Sequence, residues 1–239
     1  MKLIIIRHGD PDYSIDSLTE KGWREAELLS ERISRLDVKA FYCSPLGRAK
    51  DTASLTLKKM NRKAKTLNWL REFEGRVSIN GDKKRAWDRL PREWTDNDDY
   101  YCPDKWLKTD LMQSGTVEKE YKKLCRGVDK LLERYGYVHE GRIFKAVEPN
   151  HDTVVLFCHY GVECAILSHI FGCSPMVMWH NFVALPTSVT TLVTEEREKG
   201  IAIFRMQQFA DISHLYAAGE EPSFAARFCE CYTDDTRHD

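Results

Sequence analysis

The chain begins with Met1-Lys2-Leu3-Ile4-Ile5-Ile6-Arg7-His8-Gly9. The apolar run from Leu3 to Ile6 is rich in β-branched residues and predicts a buried strand. An arginine and a histidine follow this strand directly, and Gly9 allows the backbone to turn. Open α/β sheets bind their ligands outside the carboxyl ends of the strands. We therefore expect Arg7 and His8 to lie at a functional site.

Strand and helix patterns alternate through the rest of the chain. Further strands are predicted at residues 40–43, 64–67, 153–158, 188–194 and 201–207, the last two forming a hairpin. Helical spacing of apolar residues occurs at residues 19–36, 46–59, 116–135 and 162–171. In the first helix we expect Thr19 to be the N-cap and Trp23 to begin the buried face. Residues 138–151 are predicted to be a connecting loop.

This alternation predicts an α/β fold, a three-layer sandwich with a mostly parallel central sheet and helices on both faces. We expect all 239 residues to form a single domain. Residues 76–113 are rich in tryptophan and sustain neither period, which predicts a partly helical cap insertion. The tail from about residue 230 is expected to be frayed.

Composition argues against several functional classes. The formal net charge of −1 does not support nucleic-acid binding, for which a basic domain is expected. No apolar run approaches the roughly 18 to 20 residues that span a membrane, and the first apolar run is too short for a signal peptide. The eight cysteines include no C-x-x-C pair, so we expect no metal site and buried thiols in a reducing compartment. These features predict a cytoplasmic protein without membrane or nucleic-acid partners.

Three of the predicted strands end in polar side chains. Arg7 and His8 follow the first, Ser44 and then Arg48 follow the second, and His159 follows the strand at residues 153–158. Right-handed crossovers bring the ends of parallel strands to one edge of the sheet. Two arginines and two histidines held there would form an anion site suited to a phosphoryl group.

Phosphoryl transfer at such a site needs a nucleophile and an acid. A neutral histidine can attack phosphorus, and neighbouring cations disfavour its protonated form, so His8 is the candidate nucleophile. The leaving oxygen must be protonated, and Glu72 and Glu74 are both candidates for the acid. Nothing in the sequence indicates a cofactor.

The motifs resemble those of the histidine phosphatase superfamily, the phosphoglycerate mutase-like clan. They occur in the order of that family: Arg7-His8-Gly9, Leu18-Thr19 with Gly22, Ser44-Pro45-x-x-Arg48-Ala49-x-x-Thr52, Leu70-Arg71-Glu72 and His159-x-Gly161. The resemblance implies that His8 is transiently phosphorylated and that Arg7, Arg48 and His159 complete the phosphate pocket. It also implies that Glu72 is the proton donor.

The chain departs from the mutase pattern at several positions. Pro11 and Ser14 stand where mutase-type members usually carry Ser or Thr and Asn, and Ser14 is expected to keep one polar contact to phosphate. The stretch that follows the proton donor in the family pattern is shortened here to Glu74-Gly75. The choice between Glu72 and Glu74 as the proton donor therefore stays open. The long mutase insertions are not recognisable.

These points predict a metal-independent phosphatase that hydrolyses a small phosphomonoester, with a small phosphorylated metabolite as its partner. The alternatives are a phosphoglycerate mutase-like phosphomutase and a non-catalytic phosphate-sensing protein. The sequence carries no signal for an oligomeric state.

Overall fold

The computed structural model describes residues 1–224 and 228–236. In this part of the chain there are seven α-helices, namely α1 (Glu20–Ile33), α2 (Gly47–Met60), α3 (Asp110–Gln113), α4 (Val117–Arg134), α5 (Tyr160–Phe171), α6 (Pro175–Asn181) and α7 (Ser213–Tyr216). The strands are β1 (Lys2–Arg7), β2 (Pro11–Asp12), β3 (Ser17–Leu18), β4 (Ala40–Cys43), β5 (Ala64–Thr66), β6 (Arg76–Ile79), β7 (Asp82–Arg85), β8 (Tyr137–Glu140), β9 (Ile143–Ala146), β10 (Thr153–Cys158), β11 (Val189–Glu198) and β12 (Ile201–Asp211). Short 3₁₀ turns cover Asn68–Leu70, Pro91–Glu93, Asp98–Tyr100 and Trp106–Lys108. None of the helices described here is both long enough and apolar enough to cross a bilayer.

The main sheet has eight strands in the order β5-β4-β10-β1-β11-β12-β9-β8. Strands β5, β4, β10 and β1 run parallel to one another. Strands β11, β12, β9 and β8 extend the sheet with antiparallel pairings. Helices lie on both faces, so the predicted α/β sandwich with parallel central strands is confirmed.

Strand β1 is buried on both of its faces. Leu3 and Ile5 belong to one hydrophobic core, and Ile4 and Ile6 belong to another. Successive side chains of a strand point to opposite faces, so an unbroken apolar run is suited to a strand covered on both sides. The first core includes residues of α4 and α5, and the second includes residues of α1 and α2.

Helix α1 begins as predicted but buries a different set of residues. The Thr19 hydroxyl accepts a hydrogen bond from the Gly22 amide at 3.0 Å, which confirms Thr19 as the N-cap. Ala26, Leu29 and Ile33 are buried. The prediction that Trp23 lies on this face was wrong. Trp23 is 37% exposed, and Gly22 and Glu25 are buried at the start of the helix instead.

The prediction of a connecting loop at residues 138–151 was also wrong. Strands β8 and β9 form a hairpin there, turning at Gly141 with a φ of +66°. The hairpin alternates apolar and charged side chains, with Phe144 and Ala146 buried and Lys145 exposed between them. A strand at the edge of an antiparallel sheet can expose one face to solvent. The polar residues on that face leave no long apolar run, so the sequence did not indicate a strand here.

The segment at residues 76–113 contains both a hairpin and helical turns. Strands β6 and β7 pair with each other, and the 3₁₀ turns and α3 follow. Trp94 and Trp106 are buried, and the Trp106 ring meets Trp179 of α6 edge-on with a centroid distance of 5.9 Å. The segment is therefore packed against the sandwich through its aromatic residues, and its role as a cap remains a prediction.

Candidate active site

Strand register brings the two candidate histidines together. Strands β1 and β10 are parallel neighbours, and Arg7 pairs with Cys158. The next residue of each strand is therefore His8 and His159, whose ring centroids lie 5.0 Å apart. The predicted convergence of these two strand ends follows directly from this pairing.

His8 is held in one tautomer by two hydrogen bonds. Its Nδ1 lies 2.7 Å from the Gly9 carbonyl oxygen, which can only accept, so Nδ1 carries the proton. Its Nε2 lies 3.4 Å from Nε of Arg48, which can only donate, so Nε2 presents its lone pair. The nitrogen that faces the cavity is therefore the nucleophilic one.

The surroundings of His8 also keep the ring neutral. The residue is 2% exposed. Burial, reinforced by the guanidinium groups of Arg7 and Arg48, lowers the pKa of His8 well below its usual range. At neutral pH the Nε2 lone pair is available for attack on an electrophile.

His159 contributes a second imidazole that lacks a partner on one side. Its Nε2 lies 2.7 Å from the Ser44 hydroxyl, which also accepts a hydrogen bond from the Leu46 amide. Its Nδ1 is buried and has no hydrogen-bond partner within the described ranges. Burial lowers the pKa of His159 well below its usual range, and His8, Arg48 and Arg7 add to this effect. His159 is therefore a neutral imidazole next to His8, and one of its ring nitrogens has no partner among the described residues.

Arg7 is fixed from two sides at the end of β1. One of its terminal nitrogens donates to the Ala184 carbonyl, and its guanidinium carbon lies 5.6 Å from the centroid of the Tyr160 ring. The side chain is buried, and its Nε has no partner among the residues described. An arginine side chain stays protonated. The site therefore holds a buried positive charge, and the Nε–H group of Arg7 can donate a further hydrogen bond.

Arg48 is oriented by an aspartate that sequence reasoning did not select. Arg48 stands in the first turn of α2, and its terminal nitrogen forms an ion pair with Asp16 at 2.6 Å. The other carboxylate oxygen of Asp16 accepts from the Gly47 amide at 2.7 Å. A Cβ on Gly47 would lie only 2.0 Å from the Asp16 carbonyl oxygen, so this close approach requires glycine. Asp16 therefore positions both Arg48 and the start of the helix.

Glu72 reaches the cavity, whereas Glu74 does not. Oε1 of Glu72 accepts hydrogen bonds from the amides of Phe73 at 2.8 Å and Val162 at 3.1 Å. Burial raises the pKa of Glu72, although the Phe73 amide and the nearby arginines oppose this rise. Glu74 is exposed and pairs with Arg71 at 3.3 Å. The geometry supports Glu72 for the role of acid.

Four of the side chains described above line one cavity of about 280 Å³. His159 is not among the lining residues, although its ring lies next to that of His8. The inner wall of the cavity is formed by Arg7, His8, Arg48 and Glu72. Its remaining lining residues are Tyr13, Arg85, Trp87, Asp88, Tyr160, Phe228 and Glu230. A volume of this size suits a small molecule with an anionic group at the inner wall.

A family model for the histidine phosphatase superfamily (branch 1) matches residues 3–206. The chain belongs to this superfamily.

Known proteins with a similar sequence or fold include phosphatases and a mutase. The structure of a phosphoserine phosphatase from Entamoeba histolytica is similar with a TM-score of 0.59 and 19% identity, covering 90% of this chain and 98% of that one. A mycobacterial glucosyl-3-phosphoglycerate phosphatase is similar with a TM-score of 0.58 and 18% identity, covering 87% and 98%. In sequence, a 2,3-bisphosphoglycerate-dependent phosphoglycerate mutase from Thermoplasma acidophilum is 38% identical over 69 residues. That match covers 25% of this chain and spans only 34% of the length of the mutase.

Among the predicted site residues, Ser14 lies apart from the others. It is exposed, and its hydroxyl donates to the Asp12 carboxylate at 2.5 Å. It is not among the residues that line the cavity. The expected contact between Ser14 and phosphate therefore stays a prediction, and the position of Ser14 does not support it.

Sequence reasoning missed several acidic residues at or near the site, among them Asp16 and Glu163. Glu163 is buried in α5, where the Thr190 hydroxyl donates to it at 2.6 Å, and burial raises its pKa to about 7. Neither residue belongs to a motif with recognisable spacing. The only available signal was that Arg48 and Arg7, once placed at a site, need partners to orient them.

The tail also contributes to the site. Phe228 packs on Tyr160 with a centroid distance of 4.7 Å, and Glu230 lines the cavity. The predicted frayed tail begins at about this point, and its last residues, 237–239, lie outside the described residues.

Proposed function

We propose that this histidine phosphatase hydrolyses a small phosphomonoester through a phosphohistidine intermediate at His8. The observation that carries the proposal is the fixed tautomer of His8, with a neutral Nε2 facing Arg48 in the cavity that also holds Glu72. A site that only bound phosphate would need the arginines but neither a nucleophile nor an acid.

In the first step, Nε2 of His8 forms a bond to phosphorus while the bond from phosphorus to the leaving oxygen breaks. The leaving oxygen takes a proton from the carboxylic acid of Glu72, and an alcohol departs. Arg7, Arg48 and His159 donate to the phosphoryl oxygens, where negative charge must be stabilised.

In the second step, water attacks phosphorus and the bond between phosphorus and nitrogen breaks. The Glu72 carboxylate takes the proton of the attacking water, which restores the acid. Inorganic phosphate leaves, and His8 returns to its neutral form.

The proposed reaction needs no metal ion. In metal-dependent phosphoryl transfer, a cation stabilises the developing charge. Here Arg7 and Arg48 supply two fixed positive charges on the inner wall of the cavity. The buried thiols of Cys43, Cys158 and Cys164 support placing the enzyme in a reducing compartment such as the cytoplasm.

Turnover of an aryl phosphate in the presence of a chelator tests the proposal. We expect the parent protein to keep its activity and His8→Ala to lose at least roughly 10³-fold in kcat. Acid quenching of the parent with ³²P-labelled substrate should trap label on a histidine. Full activity in His8→Ala would refute the mechanism, and loss of activity on chelation would refute metal independence.

A phosphomutase is the second candidate, because the stretch shared with the Thermoplasma acidophilum enzyme has 38% identity. A mutase would use the same phosphohistidine but return the phosphoryl group to another hydroxyl. Release of inorganic phosphate from a panel of phosphorylated metabolites favours the phosphatase, whereas formation of isomeric phosphate esters favours the mutase.

A further inference from the structure

A second cluster of polar side chains lies away from the phosphate cavity. It consists of Asp129 on α4, His139 on β8 and His169 near the end of α5. His159 caps the start of α5, and His169 comes ten residues later, which corresponds to a helical rise of about 15 Å. The cluster is therefore separate from the site of the proposed reaction.

The three side chains converge on one point. Oδ1 of Asp129 lies 3.0 Å from Nδ1 of His139 and 2.7 Å from Nε2 of His169. All the potential ligand atoms lie within 4.8 Å of one another. The two imidazole planes are 76° apart, so the rings approach the common point from different directions.

The surroundings hold this arrangement in place. The ring of His139 stacks on Phe144 of β9 with a centroid distance of 4.5 Å and an interplanar angle of 12°. The side chains of both histidines are 16% exposed, whereas that of Asp129 is 38% exposed. The cluster is thus shielded on the histidine side and open to water on the aspartate side.

We propose that Asp129, His139 and His169 bind a divalent transition-metal ion such as Zn²⁺, which links α4, β8 and α5. Around tetrahedral zinc, bonds of about 2.0 to 2.2 Å place neighbouring ligand atoms about 3.4 Å apart. To reach this spacing, the aspartate oxygen would have to move away by about 0.4 Å from the His139 nitrogen and about 0.7 Å from the His169 nitrogen. The two ring nitrogens would have to approach each other by at most about 1.4 Å. Side-chain rotation of the partly exposed Asp129 permits the first of these shifts.

The ligand chemistry selects the class of metal. Imidazole nitrogens suit zinc, copper, nickel and iron, whereas magnesium and calcium prefer sets of oxygen ligands. Asp129 supplies a carboxylate oxygen as the third ligand. Because its side chain is 38% exposed, water can fill the fourth position.

Ligand spacing explains why this cluster was not predicted. Zinc sites are recognised in sequence by pairs of ligands a few residues apart. Here the ligands stand at positions 129, 139 and 169 and come from three elements. The competing explanation is a cluster held only by hydrogen bonds, in which both imidazoles donate to the carboxylate.

Zinc titration of the chelator-treated, desalted full chain by calorimetry distinguishes the two explanations. We expect one zinc ion per chain in the parent, and the same stoichiometry in His8→Ala and His151→Gln, which control for the active site and for an exposed histidine. In Asp129→Asn, His139→Gln and His169→Gln we expect affinity to fall at least tenfold. No zinc uptake by the parent, or undiminished uptake by His169→Gln, would overturn the proposal.

A second measurement does not depend on whether the variants fold. Crystals of the parent grown with Zn²⁺ should show an anomalous difference peak at the zinc edge between Asp129, His139 and His169. Zinc, but not magnesium, should also raise the Tm of the parent. A peak only at another position, or no peak at all, would contradict the proposed site.

Discussion

At the scale of single residues, the pKa values of His8 and Glu72 are shifted from those of the same groups in water. The nucleophile must be neutral and the acid must be protonated. The pKa of His8 is lowered mainly by burial, and burial raises the pKa of Glu72. Both shifts favour the form that the proposed reaction requires.

These shifts predict a broad pH profile. Because the pKa of His8 is lowered, kcat/KM should not fall as the pH drops through about 6.5, the usual pKa of a histidine. Because the pKa of Glu72 is raised, activity should persist above the usual range of a carboxylic acid and fall only as Glu72 loses its proton. The pH dependence of kcat/KM on an alkyl phosphate measures both limits, and an acid limb centred near 6.5 would contradict the assignment of His8.

The choice between the two glutamates gives a second prediction at this scale. Glu72→Gln should lower kcat on an alkyl phosphate by about 10²-fold or more, since the leaving oxygen loses its proton donor. The loss should be much smaller for an aryl phosphate, whose leaving group needs less protonation. Glu74→Gln is the matched control and should behave like the parent on both substrates. Reversed results for the two variants would assign the acid to Glu74.

Asp16 offers a third prediction. In Asp16→Asn, Arg48 keeps its charge but loses its ion pair, so kcat/KM should fall roughly tenfold through misplacement of the guanidinium. Asp12→Asn removes a charge four residues earlier, at the end of β2, where the carboxylate contacts Ser14, and should leave kcat/KM near that of the parent. Equal losses in both variants would indicate a general effect of loop charge.

At the scale of elements, the sequence predicted best those that are buried on both faces or carry a recognisable cap. Strands β1 and β10 each contain an unbroken apolar run, and Thr19 marks the start of α1. The sequence did not predict the hairpin of β8 and β9, because strands at a sheet edge carry few apolar residues and so give a weak strand pattern. Helix α5 begins at Tyr160, two residues before the predicted start.

The start of α5 provides a prediction about packing. A Cβ on Gly161 would lie 2.8 Å from Oε1 of Glu72 and 2.9 Å from Cδ1 of Trp87. Gly161→Ala should therefore displace the acid and lower kcat on an alkyl phosphate about tenfold, besides an overpacking cost of about 1–3 kcal/mol.

Gly172 is the matched control at the other end of the same helix. Its φ is +63°, and an added Cβ would meet none of the described atoms within 4 Å. Gly172→Ala should cost about 1–2 kcal/mol of stability through backbone strain alone and leave kcat unchanged. Thermal unfolding and steady-state kinetics of the two variants separate the effects. Unchanged kcat in Gly161→Ala would argue against a role for Glu72.

At the scale of the whole molecule, the site is assembled from distant parts of the chain. The parallel strand ends were predictable, because topology alone brings His8, Ser44 and His159 to one edge of the sheet. The contribution of Glu230 was not predictable, since no periodicity or motif relates the tail to the cavity. The same holds for Asp129, His139 and His169, whose proximity depends on the packing of three elements.

Glu230 provides a prediction about electrostatics. Its carboxylate lines a cavity whose inner wall is cationic, and it opposes the approach of an anionic phosphoryl group. Glu230→Gln should raise kcat/KM for an aryl phosphate by about two- to fivefold at low ionic strength, and the gain should vanish in high salt. Glu198→Gln makes the same charge change on an exposed residue of β11 and should have little effect. A gain that persists in high salt would point to a steric cause.

The pairing of Arg7 with Cys158 also predicts how the protein loses activity on heating. The His8 amide donates to the Cys158 carbonyl at 3.0 Å, so the proposed nucleophile is bonded to the central strand β10 directly after the end of β1. Backbone amides of central strands exchange with solvent only when the whole domain unfolds. The amides of β1 and of His8 should therefore be among the slowest to take up deuterium, and heat inactivation should coincide with global unfolding.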